Sequence, residues 1–384
     1  MSSLSRVQTV HLVAGTRPEA IKLAPLYREL GKLGFDAQLV ASGQHPTMVR
    51  DSLRVFGIAP DLTLELDRGD GGLPTLISAL IANLSSLWST KHPDAVVVQG
   101  DTTTALAGAL AAFWAKIPVV HLEAGLRSHD LHSPFPEEAN RKLIGQIADF
   151  HLAPTSRAER NLIGDGIPAD RVYVTGNTVI DAVLRIAASL PQTTALPTPL
   201  ILLTMHRRES WGDPLEQVLD AVAQLLAEYP TLHVLCPTHP NPAVRQQVHL
   251  RLGEHDRVTL TDPLPYEELV GVMKASTLII SDSGGIQEEA PTFGVPVLVA
   301  RDVTERIEAI EYGCAISVGT DRNIILTTAR RLLDDPEARS AMRSRTNPFG
   351  DGLAAFRSAQ AIARLLNGHT ELPAPFSMSV HPVT

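Results

Sequence analysis

Three acids stand where strands and helices would bring polar groups together. Asp101 follows the apolar run AVVVQ in Gln99-Gly100-Asp101-Thr102-Thr103-Thr104. Glu123 closes the next run in His121-Leu122-Glu123-Ala124-Gly125-Leu126-Arg127, and Glu137 opens a helical pattern in Pro134-Phe135-Pro136-Glu137-Glu138-Ala139-Asn140-Arg141. Carboxylates in unlike surroundings can divide the roles of general acid and base. Each also has a plain structural reading: Asp101 as a helix N-cap, Glu137 as an acid favoured in a first helical turn.

Basic and small residues form a second group. In Gly15-Thr16-Arg17-Pro18-Glu19-Ala20-Ile21-Lys22, Gly15 permits a tight turn, and Arg17 and Lys22 fall at a helix start. Backbone N–H groups and the dipole already favour anions there, Arg17 offers a bidentate fork and Lys22 a point charge. Cations at this end oppose the dipole, which favours an anion site over a merely solvated basic start. His206-Arg207-Arg208-Glu209-Ser210 suits a diphosphate better than a surface cluster. In Ser281-Asp282-Ser283-Gly284-Gly285-Ile286-Gln287-Glu288-Glu289, Ser283 and Gly284 make a small anion nest, with Glu289 one turn further in to accept from ribose hydroxyls. A capped helix with exposed acids is the alternative.

No G-x-G-x-x-G, G-x-x-x-x-G-K-[ST] or H-E-x-x-H pattern occurs. His121 and Glu123, two apart on a strand-like run, are expected on one face, and without further ligands they make no metal site. His11 and His151 read as structural.

The elements that must position these residues alternate along the chain. Strands are expected at residues 7–14, 37–41, 62–66, 95–99, 118–122, 150–153 and 172–175, with helices between them such as 73–90 and 102–115. Residues 189–199, SLPQTTALPTP, hold three prolines and no charge and read as a linker. The alternation restarts at 200–204, 233–236, 258–260, 277–281, 295–300 and 314–318. The expectation is an α/β fold of two doubly wound Rossmann-like domains, 1–188 and 200–352, facing a central cleft. A last helix over 353–366 is expected to pack back on the first domain, with a frayed tail from Pro373 within a terminal segment 369–384.

Composition narrows the function. The 384 residues carry a net charge of −9 and only 4% aromatics, which disfavours nucleic acid as a partner. Of 33 cations six are lysines, so Lys22 at a strand end is an uncommon choice in this chain. The longest apolar stretch, residues 105–115, is well short of the roughly 20 residues a spanning helix needs. The N-terminus reads as a first strand rather than a signal peptide, and Cys236 and Cys314 suggest no disulfide framework, so a cytoplasmic protein is expected.

The segments GTRPEAIKLAPL, QGDTTT, HLEAGLRS, PFPEEANR, TMHRRESWG, SDSGGIQEEAPTFGVPVLVARDVTER and NPFGDG run in order from residue 15 to about 352. Together they resemble the non-hydrolysing UDP-N-acetylglucosamine 2-epimerases. The resemblance implies GT-B architecture, a homodimer, no cofactor, and interconversion of UDP-GlcNAc and UDP-ManNAc for surface polysaccharides. UDP leaves C1 as the C2 proton is removed, giving 2-acetamidoglucal, and adds back with the proton delivered to the opposite face. By resemblance Asp101, Glu123 and Glu137 are the catalytic acids, with Lys22 and His206 assisting. Arg17, His206, Ser283 and Gly284 hold the diphosphate, Glu289 the ribose, and Leu269 stands where an aromatic often packs on uracil. Bacterial relatives also bind UDP-GlcNAc as an activator, at positions that map to Gln44, Arg68, Arg207 and His239. Thr47 stands where a glutamine is frequent, and Ile307 replaces a usual proline. A hydrolysing 2-epimerase, a GT-B glycosyltransferase and a non-catalytic nucleotide-sugar sensor are the competing readings; Gln44-His45 and HRRES argue against the first.

Overall fold

The computed structural model describes residues 6–66, 71–191, 196–207, 210–343, 345–368 and 371–378. Arg68 and Arg208 lie outside the described residues. The chain divides into two compact units: Met1–Ala182 with Phe349–Thr384, and Val183–Pro348. The first division falls inside the helix Thr178–Ser189, upstream of the proline-rich stretch.

The first unit holds seven parallel strands: β1 (Thr9–Ala14), β2 (Asp36–Ala41), β3 (Leu62–Thr63), β4 (Ala95–Gln99), β5 (Val119–Leu122), β6 (Phe150–Ala153) and β7 (Val172–Val174), in the order β3-β2-β1-β4-β5-β6-β7. The central strands are apolar throughout because helices cover both faces. The helix Thr103–Trp114, TTALAGALAAFW, is rich in small residues, which lets it lie close to the sheet: a Cβ on Gly108 would come within 3.0 Å of Val98 Cγ1. It packs beside the helix Leu73–Thr90, whose Leu76, Leu80, Leu84 and Trp88 face the core at helical spacing. The run 105–115 is thus a helix largely buried up to Ala112 with Phe113 and Trp114 exposed near its end, and among the described residues no helix is long and apolar enough to cross a membrane.

The second unit has six parallel strands: β8 (Leu200–Thr204), β9 (His233–Pro237), β10 (Val258–Thr261), β11 (Leu278–Ser281), β12 (Val297–Val299) and β13 (Ala315–Ser317), in the order β10-β9-β8-β11-β12-β13. Its core gathers Leu203, Val222, Leu226, Ile280 and Leu298. In both sheets the strand order reverses once, between β1 and β4 and between β8 and β11. Ligands of such sheets bind beyond the strand ends at that reversal.

All thirteen expected strands form. The expected run 62–66 shortens to two residues, because β3 is an edge strand that leaves the sheet after Leu64 N–H bonds Ala41 O at 2.8 Å. The last helix, Ala354–Asn367, packs on the helix Arg17–Lys32, and the first N–H groups at its start, from Ala354 and Ala355, donate to the Asp181 carboxylate at 3.2 and 2.9 Å. The residues after Pro373 are not frayed up to 378. Phe376 is buried in a small apolar cluster, its N–H bonds Val174 O at 2.9 Å, and Tyr173 Oη donates to Pro373 O at 2.6 Å. An unpaired edge strand offers this bonding, and the alternating tail accepts it.

Buried titratable groups give the first unit a stability optimum. Burial pushes His11 to about 4, His121 to about 3 and His151 to about 4. The unfolded chain takes up protons near the ordinary 6.5 where the folded one does not, so stability falls as pH drops below that value. Burial raises Glu19 and Asp181 to about 7, so their contribution runs the other way and is lost as pH rises towards 7. With three histidines against two acids, the unfolding free energy from urea titration should peak between about pH 6 and 7 and fall by about 1 kcal/mol per pH unit on the acid side, the midpoint following it. A midpoint that rises steadily to pH 8.5 would contradict this.

Candidate active site

The end of β1 and the loop after β4 are tied together by one buried carboxylate. Glu19 accepts from Gly15 N–H at 2.9 Å, Thr16 N–H at 2.7 Å and Thr16 Oγ1 at 2.8 Å, completing a capping box at the start of the helix Arg17–Lys32. Its other oxygen accepts from Thr102 Oγ1 at 2.5 Å, across 83 residues of sequence. Arg17 is the first residue of that helix and half-buried. Lys22 lies past its first turn and is buried, so it does not act as a surface charge at the helix start.

Lys22 Nζ instead meets both oxygens of Glu123, at 2.7 and 2.6 Å, and Gln99 Nε2 adds a bond to Glu123 at 2.5 Å. Glu123 is only 7% exposed. It sits just beyond β5 with φ 61°, a left-handed conformation that a glutamate adopts only where its surroundings hold it. Strand alternation therefore does not set its direction, contrary to the expectation that His121 and Glu123 share a face. His121 Nε2 reaches Gly100 O at 2.8 Å, while Glu123 turns to Lys22.

Asp101 follows the left-handed Gly100 (φ 68°). Arg141 Nε donates to its carboxylate at 2.7 Å, and Asn140 Nδ2 to its carbonyl at 2.8 Å. Both come from the helix Glu137–Ile147. Arg141 is held in turn by Glu138, at 3.1 Å, and Glu138 also accepts from the N–H groups of Ser128 and His129 at 3.0 and 3.2 Å. Glu137 begins this helix and is half-buried, whereas its neighbour Glu138 is fully buried and structural. Asp101, Glu123 and Lys22 thus gather at the same edge of the first sheet.

In the second unit His206 follows β8 and Asp282 follows β11, the two strands at the reversal. His206 Nδ1 lies 3.1 Å from Asp282 Oδ1. The same carboxylate accepts from the N–H of His206 at 3.1 and 3.0 Å and of Arg207 at 2.9 Å. Burial alone would raise the Asp282 carboxyl, but His206 and these N–H groups hold it below its ordinary value. The imidazole is half-exposed on a fully buried acid, which fixes its orientation and leaves Nε2 outward. Asp282→Asn should lower turnover by roughly 10²–10³-fold, since an amide no longer selects the tautomer. Wild-type turnover in this variant would remove Asp282 as the orienting group.

Ser283 caps the short helix Gly284–Glu289, its Oγ accepting from Ile286 N–H at 3.5 Å. Gly284 lies close to a neighbouring guanidinium: a Cβ there would come to 3.0 Å from Arg306 Cζ, so that side chain would have to shift by a few tenths of an ångström. Glu288 accepts from Arg306 Nε at 2.9 Å and presses that guanidinium onto the glycine. Glu289 is buried and accepts from Tyr266 Oη at 3.0 Å. Leu269, half-buried, lies one turn on from Tyr266 in the helix Tyr266–Ala275. Ile307 begins the helix Ile307–Glu311, a position where proline would fit equally.

Gln44 Oε1 accepts from Thr104 Oγ1 at 2.6 Å in the first unit. In the second, Arg207 follows His206, and the His239 ring lies 5.3 Å from that of Trp211 with Nδ1 accepting from Asn241 N–H at 3.0 Å. Among the described residues no group of three His, Cys, Asp or Glu is placed to hold a metal ion.

Residues 28–363 match the family model described as UDP-N-acetylglucosamine 2-epimerase. The chain belongs to the UDP-N-acetylglucosamine 2-epimerase family. The Bacillus subtilis UDP-N-acetylglucosamine 2-epimerase is 42% identical over 373 residues, covering 96% of this chain and 98% of that one. Among solved structures, the Neisseria meningitidis UDP-GlcNAc 2-epimerase bound to UDP-GlcNAc is 38% identical with a TM-score of 0.86, covering 94% of this chain and all of that one. The S. aureus MnaA–UDP complex is 40% identical with a TM-score of 0.89, covering 97% of this chain and all of that one. These likenesses span both parallel-sheet units and agree with the expected GT-B fold.

Asp282, Arg141, Gln99, Glu19 and Arg306 are site residues of this epimerase-family chain that emerge only from the fold. Asp282 had a usable signal, an acid between a strand end and Ser-Gly-Gly. Arg141 and Gln99 had none, because their partners are 40 and 24 residues away.

Proposed function

We propose that this chain epimerises UDP-GlcNAc and UDP-ManNAc at C2, by eliminating UDP to 2-acetamidoglucal and adding it back. The observation that carries the reading is the pair of separately clamped acids, Glu123 on Lys22 and Asp101 on Arg141, at the same edge of one sheet. A C2–H with no adjacent carbonyl is a poor acid, so departure of the diphosphate must supply most of the drive. Arg17, His206 and the Ser283-Gly284 turn serve that departure. Inversion needs proton donors and acceptors on both faces of the sugar, which Asp101, Glu123 and Glu137 provide. The C2–H bond breaks as the C1–O bond to UDP breaks, and both re-form; no electron leaves the substrate, so no redox cofactor is called for. Glu289, fixed by Tyr266, holds the ribose, and Leu269 covers the uracil by aliphatic contact.

The reading extends to regulation and assembly. UDP-GlcNAc also acts as an activator through Gln44, Arg68, Arg207 and His239. The enzyme works in the cytoplasm as a homodimer, supplying UDP-ManNAc for surface polysaccharides; Phe113, Trp114 and Leu143, exposed on two helices packed together, are the apolar surface a second copy would cover. Incubation with UDP-GlcNAc followed by NMR tests the reaction. UDP-ManNAc at equilibrium with its epimer supports it, free ManNAc as main product supports hydrolysis, and tight binding without turnover supports a sensor.

A further inference from the structure

His121 is fully buried in β5, yet its ring is not simply core filling. Its Nε2 lies 2.8 Å from the carbonyl of Gly100, the residue before Asp101. Its Nδ1 has no hydrogen-bond partner among the described residues. Nε2 is therefore the protonated, donating nitrogen. Burial, the neighbouring His151 and the charges of Arg127 and Arg141 hold the ring neutral, pushed to about 3, so this donor persists across the working pH range. A buried nitrogen left without a partner is unfavourable, and an apolar residue of similar size would suit the strand better on stability alone.

The carbonyl it grips belongs to the peptide joining Gly100 to Asp101. Gly100 N–H bonds Leu122 O at 2.9 Å, so one side of the glycine is fixed by the sheet. Its φ of 68° then turns the chain, and the His121 bond to the Gly100 carbonyl helps set the plane of the next peptide. Asn140 and Arg141 hold Asp101 from the far side. We propose that His121 is a positioning residue: through the Gly100 carbonyl it sets the direction in which Asp101 presents its carboxylate to the sugar. The inference rests on Asp101 being a catalytic acid, as proposed above.

Four variants test it, with kcat, KM and thermal midpoint measured on each. A glutamine amide reaches about as far as Nε2, and an asparagine amide only as far as Nδ1. His121→Gln should keep kcat within about fivefold of wild type, whereas His121→Asn and His121→Phe lose roughly 10²-fold in kcat with KM within about threefold, the scale of a misplaced catalytic group. Gly100→Ala probes the same peptide without touching the core, since a Cβ there meets nothing within 4 Å and only the left-handed φ is strained. It should reproduce the kcat loss with KM nearly unchanged and a thermal midpoint lowered by only about 2–4 °C, the cost of the strained φ, which keeps the test valid if His121→Phe fails to fold. Wild-type kcat in Gly100→Ala or in a folded His121→Asn, or a glutamine variant as impaired as phenylalanine, would overturn the inference. Asp101→Asn is the control: if it retains turnover, the reading of Asp101 fails first, whereas an inactive Asp101→Asn beside an active Gly100→Ala refutes the role of His121 alone.

Discussion

Asp101→Asn and Glu123→Gln should each reduce exchange of the C2 proton by at least about 10³-fold while UDP affinity stays within a few fold. Both changes are nearly isosteric. In Asp101→Asn the amide oxygen still accepts from Arg141 Nε, at 2.7 Å in the native chain, and Asn140 still holds the main-chain carbonyl. What is lost is the capacity to take or give a proton. UDP is proposed to be held by His206, Ser283, Gly284 and Glu289 rather than by either acid, so calorimetric titration with UDP should separate binding from chemistry. Wild-type exchange in either variant would remove that residue from the catalytic set.

Lys22→Met should strongly destabilise the first unit. The native ammonium contacts both oxygens of Glu123 at 2.7 and 2.6 Å, with side-chain exposures of 9% and 5%. Removing the ammonium takes its charge away from a buried carboxylate, a loss on the order of 3–5 kcal/mol for breaking a buried pair. For a unit of this size that corresponds to a drop of about 10 °C in its unfolding midpoint. The double variant Lys22→Met, Glu123→Met removes both charges and should recover much of that stability while remaining inactive. A Lys22→Met protein that unfolds with wild type, by calorimetry or urea titration, would contradict the pairing.

The strands were legible because parallel sheets covered on both faces write themselves as short apolar runs, and AVVVQ or LILLT admit little else. The punctuation after them was legible for the same reason: Gly100 and Gly15 mark where the chain leaves the sheet. What sequence spacing could not convey is which side chain meets which. Lys22 and Glu123 are 101 residues apart, His206 and Asp282 are 76 apart, and each pair meets only because β1 lies beside β4, β4 beside β5, and β8 beside β11. Lys22 looked like a phosphate ligand at a helix start because local reasoning sees the helix dipole and not the carboxylate arriving from another strand. The tail misled in the opposite sense: its prolines suggest fraying, but Phe376 finds an unpaired edge at β7 that no local pattern announces.

The C2–H bond is expected to break and re-form on the enzyme without an added cofactor. Incubating the protein with UDP-GlcNAc in heavy water and following the sugar ring by NMR tests it most directly. UDP-ManNAc and UDP-GlcNAc should both carry deuterium at C2, with UDP conserved in the nucleotide sugars. Epimerisation with the original hydrogen retained at C2, or release of free ManNAc and UDP as the main products, would contradict it.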